Sequence, residues 1–140
     1  MTFQYAPAPE STAIVNINSS NDLFINGEFT PGHGNPFKTI NPATEEVLAE
    51  IAHANEEDVN AAVMAARKAY DKTWSKMSGR DRGKYLFRIA RLIQERSREL
   101  AVLETLDNGK PIRESRDVDI PIAAAHFFYH AGWADKLEFA

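Results

Sequence analysis

Cysteine is absent from this 140-residue sequence. Disulfides, thiolate metal sites and cysteine nucleophiles are therefore excluded from the chain itself. The lack of disulfides agrees with a reducing compartment, and we expect a cytoplasmic location. Met1–Tyr5 contains no basic residue and no apolar segment follows it, so a secretory signal is not expected.

Long apolar runs and a strong charge imbalance are also lacking. The longest apolar stretch, Ile120–Ala134, is interrupted by His126 and His130, whereas a membrane-spanning helix needs about 20 apolar residues. The net charge of −4 gives no electrostatic reason to expect binding to nucleic acid or to an anionic membrane. We therefore expect neither as a partner.

Glycine-rich phosphate loops are not found either. The seven glycines nowhere form a G-x-G-x-x-G or P-loop pattern, so the chain has no dinucleotide-binding fingerprint. They stand at positions 27, 32, 34, 79, 83, 109 and 132.

The composition is that of an ordinary globular protein, 44% hydrophobic and 26% charged, at the length of one domain. Residues 1–20 contain several prolines and serines without a period, and we predict a mobile leader there. Asn26-Gly27 supplies the positive φ angles of a type I′ turn, which predicts a short hairpin. A second hairpin is predicted from the period-two strands Phe37–Ile40 and Val47–Ile51.

Four helices are predicted after the hairpins, from apolar residues of helical period and from capping residues. Asn55 is a favourable N-cap for the first, and Ser78–Asp81 resembles a capping box for the second. Asn108-Gly109 ends the third. The fourth begins at Asp117, with Pro121 in the first turn, where a missing N–H does no harm.

The fourth helix is apolar around nearly its whole circumference. A helix of that kind is buried on all sides. Three other helices and two small hairpins are too few to cover it completely. The pattern therefore predicts that a further layer of structure packs against it.

Three groups of residues admit a chemical interpretation, and in each a structural one is preferred. His126 and His130 have the i,i+4 spacing of a metal pair, but helix-end packing explains them better in the absence of a third ligand. The arginines of the second helix alternate with glutamates, which favours a solvated face with ion pairs over a nucleic-acid site. The spacing of Ser115, Asp117 and His126 does not support a catalytic triad.

Three sequence motifs coincide with the predicted strands and helices. They are Asn41-Pro42-Ala43-Thr44-Glu45-Glu46-Val47, Glu104-Thr105-Leu106-Asp107-Asn108-Gly109-Lys110-Pro111 and Ala131-Gly132-Trp133-Ala134-Asp135-Lys136. In this order and at this spacing they closely resemble the N-terminal segment of NAD(P)-dependent aldehyde dehydrogenases. The resemblance extends from about Leu23 to Lys136.

The resemblance implies an α/β fold in which the two hairpins and four helices pack on a dinucleotide-binding parallel sheet. Residues 21–140 would be an incomplete cofactor-binding domain of a homo-oligomer. The family oxidises aldehydes to carboxylic acids with NAD or NADP, through a thiol and a glutamate base that lie further along. No catalytic or cofactor-binding residue is therefore predicted in this chain, and alone it is predicted to be inactive.

The resemblance also assigns two sets of site residues. In the family, the aspartate matching Asp107 helps hold a structural cation together with backbone carbonyls, here those of Thr39 and Ile40. Oxygen-only ligands suit sodium, magnesium or calcium, whereas the residue pattern alone leaves an exposed or capping aspartate equally open. The positions matching the mouth of the substrate tunnel are Val118, Asp119 and Ile122.

Two non-catalytic functions remain as alternatives. The chain could act by association with a full-length relative, or it could be a small helical binding module that retains the resemblance without the activity.

Overall fold

The computed structural model describes residues 10–137. Strands β1–β5 precede three long helices, a short helix, a π-helical turn and a final helix. The bounds are β1 Ser20–Asn21, β2 Leu23–Ile25, β3 Glu28–Thr30, β4 Phe37–Ile40, β5 Val47–Ile51, α1 Glu56–Lys72, α2 Gly79–Glu95, α3 Ser97–Asn108, α4 Ile112–Glu114, the π turn Ser115–Asp119 and α5 Ile120–Trp133.

Both predicted hairpins are confirmed. Asn26 and Gly27 have φ angles of 56° and 89°, as a type I′ turn requires, and they join β2 to β3. The rings of Phe24 and Phe29 lie 5.0 Å apart on one face of this hairpin. Both rings are mostly exposed.

A parallel strand that the sequence did not predict joins the second hairpin. The sheet order is β1-β5-β4, with β1 parallel to β5. The amide of Glu50 donates to the carbonyl of Ser19, and the amide of Ala52 to that of Asn21, both at 2.9 Å. Residues 10–20 of the predicted leader therefore lie against the sheet and α3. Residues 1–9 lie outside the described residues, and the mobility of the leader stays a prediction.

Asn41 organises the turn between β4 and β5 from a buried position. Its side-chain oxygen accepts the Ala43 amide at 2.9 Å, and its own amide donates to the Glu46 carbonyl at 2.9 Å. This side chain-to-backbone bond is the reason asparagine favours turns. Glu45 completes the turn with a φ of 61°.

The predicted N-cap of α1 is confirmed, and it is part of a larger hydrogen-bond cluster. Asn55 and Asp58 form a reciprocal capping box. The buried Asp58 carboxylate also accepts the backbone amide of His33 at 2.9 Å and contacts the His33 Nδ1 at 2.6 Å. These bonds, led by the two backbone amides, lower the pKa of Asp58 to about 2. Hydrogen bonding to Asp58 raises the pKa of His33.

The contact between His33 and Asp58 predicts a stability that depends on pH in two ranges. The lowered pKa of Asp58 gives a contribution that is present above its ordinary value of 3.8 and is lost as pH falls towards about 2. The raised pKa of His33 gives a contribution that is present below 6.5 and is lost as pH rises through the folded-state pKa.

We therefore expect His33→Ala to destabilise the protein more at about pH 6 than at about pH 9. Thermal unfolding of the complete enzyme at the two pH values measures this difference. Because 66% of the His33 side chain is exposed, salt should weaken the effect. In an Asp58→Asn background the pH dependence of the His33→Ala effect should vanish, and its persistence would rule out this pair as the cause.

Helix α2 begins at the predicted cap, but the capping box is not reciprocal. Ser78 accepts the Asp81 amide at 3.1 Å. The Asp81 carboxylate bonds instead to the Ser78 hydroxyl and to Lys84, both at 2.7 Å. The Asp81 carboxylate, placed beside the Lys84 cation, takes these partners rather than the Ser78 backbone.

The predicted start of the fourth helix at Asp117 is wrong. The helical run already begins at Ile112 and passes through the π turn, where the Ile120 amide donates to the Ser115 carbonyl. Pro121 has no N–H, so the Asp117 carbonyl cannot receive its α-helical bond, and the proline ring opposes a regular turn there. A π turn lets the helix continue past the proline.

Helices α2 and α5 form the main packing contact. Phe87 and Phe128 meet edge to face at 5.0 Å. Gly83 allows close approach, since a Cβ there would lie 3.0 Å from the Ala131 carbonyl oxygen. Yet Ile122, Tyr129 and Trp133 of α5 are exposed, so residues 10–137 leave one face of the predicted all-apolar helix uncovered.

The core of the described residues is small. Its buried apolar residues include four alanines, and the largest side chain with less than 2% exposure is Ser115. None of the helices within residues 10–137 is long and apolar enough to span a membrane. The buried apolar residues are Ala49, Ala90, Ala101, Val102, Ile120 and Ala124.

Candidate functional site

The C-terminal end of α3 docks on the turn between β4 and β5. The Thr39 hydroxyl donates a hydrogen bond to the Asp107 carboxylate. Two residues on, Gly109 caps the helix with a φ of 78°, and a Cβ there would lie 2.7 Å from Cγ of Pro42. Glycine is therefore required at 109 both by the backbone angle and by the proline beside it.

Two of the three predicted cation ligands are thus brought together by this contact. The contact is made by the Thr39 hydroxyl. The predicted cation ligands are different atoms, namely the backbone carbonyl oxygens of Thr39 and Ile40. Ile40 follows directly, where the β4–β5 register shifts, and its side chain is 49% exposed. Thr39 and Asp107 both line a groove of about 550 Å³ between the β-sheet and α3.

No group of three or more histidine, aspartate or glutamate side chains that could hold a metal occurs in residues 10–137. A site made of one carboxylate and backbone carbonyls would be of a different kind. The cation therefore stays a prediction. The exposed His126 and His130 lie beside a shallow cavity with Tyr129.

The predicted entrance residues lie on the π turn and the start of α5. Val118 and Ile122 are 47% and 50% exposed and are four residues apart, on one helical face. Asp119 differs from them because its carboxylate lies 2.5 Å from the Lys110 ammonium group. Lys110 also contacts Glu104 at 3.0 Å.

Lys110 was not singled out from the sequence. Its only signal was its place after the helix-ending Asn108-Gly109, where a cation favours the negative end of α3. The contact with Asp119 depends on the π turn, which no sequence period indicates. The hydrogen bond to Asp119 raises the pKa of Lys110 most, and the hydrogen bond to Glu104 raises it further.

Ser115 anchors the π turn from a fully buried position. The Thr105 hydroxyl of α3 donates to the Ser115 hydroxyl at 3.2 Å. This partner is consistent with a structural role for Ser115 rather than a place in a triad with the exposed His126.

Ion pairs connect the outer side of the π turn to the N-terminal segment. Arg116 binds Asp117 through two contacts of 2.6 and 2.9 Å, and this hydrogen bonding lowers the pKa of Asp117. Glu10 accepts two hydrogen bonds from Arg98 at 2.9 and 2.7 Å, and its carboxylate lies 3.6 Å from Arg116. Hydrogen bonding to Arg98 lowers the pKa of Glu10.

Comparison with known proteins gives a consistent result. The model of the aldehyde dehydrogenase family matches residues 29–140. Mitochondrial aldehyde dehydrogenase family 2 member B4 of Arabidopsis thaliana is 48% identical over 121 residues, which are 85% of this chain and 22% of that protein. The Bacillus subtilis (strain 168) protein DhaS, described as an aldehyde dehydrogenase, is 46% identical over 123 residues, 86% of this chain and 25% of DhaS.

Solved structures agree with these matches. The NAD⁺ complex of an aldehyde dehydrogenase from Bacillus cereus superposes with a TM-score of 0.83 at 45% identity, covering 86% of this chain and 25% of that one. The chain thus spans about a quarter of the length of the relatives it matches.

Proposed function

Because this chain belongs to the aldehyde dehydrogenase family, we propose that it is the N-terminal part of an enzyme that oxidises an aldehyde to a carboxylic acid. The observation that carries the proposal is the family match over residues 29–140. NAD or NADP would accept a hydride from the substrate. The chain contains no cysteine, so the thiolate nucleophile and the base would come from other parts of the enzyme.

The test uses the protein as its source makes it. Its intact mass should exceed that of residues 1–140, and the purified protein should reduce NAD or NADP when an aldehyde is added. An intact mass equal to that of the 140 residues would contradict the proposal and favour a non-catalytic protein that acts by association.

We propose that the exposed face of α5 and its neighbours is covered in the complete enzyme by a dinucleotide-binding parallel sheet. Residues 21–140 would then be one part of the cofactor-binding domain. Support comes from the exposed large apolar side chains, because a contiguous apolar surface of this kind usually marks an interface. We also propose that the complete enzyme is a cytoplasmic homo-oligomer.

Val118 and Ile122 are proposed to line the mouth of the substrate tunnel. Their exposure and their common helical face support this. Apolar linings select substrates mainly by shape. Asp119, which the resemblance also places at the mouth, would act there together with Lys110 rather than as a free carboxylate.

We propose that Asp107 and the carbonyls of Thr39 and Ile40 hold a hard cation such as sodium, magnesium or calcium. Asp107 lies at the negative end of α3, so removal of its charge would by itself stabilise the helix. The hydrogen bond from the Thr39 hydroxyl to the exposed Asp107 carboxylate supports the proposal, because it directs the carboxylate towards β4. Oxygen atoms alone would bind the cation, which excludes a preference for zinc.

In the complete enzyme, Asp107→Ala is expected to lower the thermal unfolding midpoint, and more so with sodium, magnesium or calcium present than with a large organic cation. Thr39→Val is the matched control, because it removes the hydroxyl but keeps the backbone carbonyl. It should cost about 0.5–1.5 kcal/mol and leave the cation dependence intact. Equal stability of Asp107→Ala and the unsubstituted enzyme in every salt would contradict the site.

A further inference from the structure

Lys110 bridges two carboxylates that belong to different parts of the chain. Its ammonium nitrogen lies 3.0 Å from Oε1 of Glu104 on α3 and 2.5 Å from Oδ2 of Asp119 on the π turn. The three side chains are between 29% and 35% exposed. One positive and two negative charges give the cluster a formal net charge of −1.

This cluster adjoins the proposed tunnel mouth. Asp119 follows Val118 directly and lies three residues before Ile122, a spacing that makes side chains neighbours on a helix. Asp117 and Asp119 both adjoin Val118 in sequence, and Asp117 is paired with Arg116. A substrate that passes Val118 and Ile122 would therefore meet the field of Asp119 together with that of Lys110.

The backbone segments that carry Lys110 and Asp119 are each held in place by a contact with another element. Lys110 follows Gly109, which packs so closely on Pro42 that a Cβ there would lie 2.7 Å from Cγ of the proline. On the other side, the π turn that carries Asp119 is anchored on α3 by the hydrogen bond between Thr105 and the buried Ser115. The two side chains of the ion pair are thus carried by backbone segments that are held in place by other contacts.

We propose that Lys110 is a specificity-determining residue for the aldehyde. It offsets the charge of Asp119, so that the mouth is less negative and admits aldehydes that carry a negative group. This inference rests on the proposed function, in which Val118 and Ile122 line the tunnel mouth. Without Lys110 the formal charge of the cluster changes from −1 to −2, and the Asp119 carboxylate has no cation beside it.

The experiment compares aldehydes of similar size with and without a charged group, in the complete enzyme. For Lys110→Met, KM for a carboxylate-bearing benzaldehyde should rise roughly two- to tenfold relative to neutral benzaldehyde, as expected for one unit charge near a hydrated path. KM for a trimethylammonium-bearing aldehyde should fall. Neutral benzaldehyde is the reference substrate for each variant, and high salt should reduce the differences between charged and neutral aldehydes.

Three further variants separate this effect from a general loss of structure. Lys110→Arg keeps the charge and should keep the KM ratios. Lys84→Met removes a lysine that pairs with an aspartate at 2.7 Å on α2, and it should leave the ratios unchanged. Asp119→Asn should lower KM for the anionic aldehyde, and it tests the proposal even where Lys110→Met does not fold.

Val118→Asp shows which proposal fails. It places a carboxylate at the mouth and should raise the KM ratio of anionic to neutral aldehyde. If Val118→Asp has this effect but Lys110→Met and Asp119→Asn do not, the role of Lys110 is overturned and the tunnel mouth stands. If Val118→Asp has no effect either, the assignment of the mouth itself is wrong.

Discussion

The 140-residue chain, prepared alone, is expected to turn over no aldehyde with NAD or NADP and to hydrolyse no ester. The family reaction needs a covalent thiolate nucleophile, and the sequence contains no cysteine. Removing the nucleophile of a covalent mechanism lowers the rate by several orders of magnitude, about 10⁶-fold in a well-studied serine protease. The expected loss is therefore the whole measurable activity.

The measurement is reduction of the nicotinamide by homogeneous chain of confirmed mass, with the complete enzyme as the positive control. Trace contamination by a host dehydrogenase is the main source of false activity. A mock preparation carried through the same purification provides that control. Turnover that follows the mass of the 140-residue chain through a final sizing step would show that the prediction is wrong.

The second large effect concerns folding. The isolated chain is expected to self-associate, to bind a fluorescent dye specific for apolar surface, and to lack a sharp unfolding transition. Full burial of one valine or isoleucine contributes about 1.5–3 kcal/mol, whereas ordering one residue costs about 1–2 kcal/mol. Val102 and Ile120 are the only buried apolar residues larger than alanine in the part of the chain that the structure describes.

Half-buried side chains add to this core, but they gain their full contribution only when another layer covers them. Sedimentation, dye fluorescence and calorimetry measure the three expected properties. Replacing the exposed Ile122 and Tyr129 by glutamine should reduce dye binding, whereas replacing the exposed Lys136 by glutamine should not. A monomeric chain with a cooperative transition and no dye binding would instead favour an independent binding module.

The sequence predicted the turns and helix caps, because these depend on residues that are close together in the chain. Asn26-Gly27 determines its own turn because few other residues adopt two positive φ angles. Asn55 and Gly109 likewise cap their helices by interactions within a few residues. For these features the sequence reading and the structure agree closely.

The features that the sequence did not predict arise from contacts between different elements of the fold. Strand β1 has two residues and no period of its own, and it exists only because β5 offers an open edge. The pairing of Lys110 with Asp119 needs the π turn, and a period of 3.6 residues gives no sign of that turn. Asp107 was selected by resemblance, whereas the hydroxyl of Thr39 as its partner was visible only in the structure.

The ion pair between Glu10 and Arg98 can form only late during synthesis of the chain. These two residues are 88 positions apart, so during synthesis the N-terminal segment leaves the ribosome long before its partner does. At an elongation rate of about 5–20 residues per second, the segment waits roughly 4–18 seconds without that contact. The first hairpin can close within that time, since a hairpin forms in about 1–10 μs. A factor that binds nascent chains would therefore meet the segment before Glu10 can be held by Arg98.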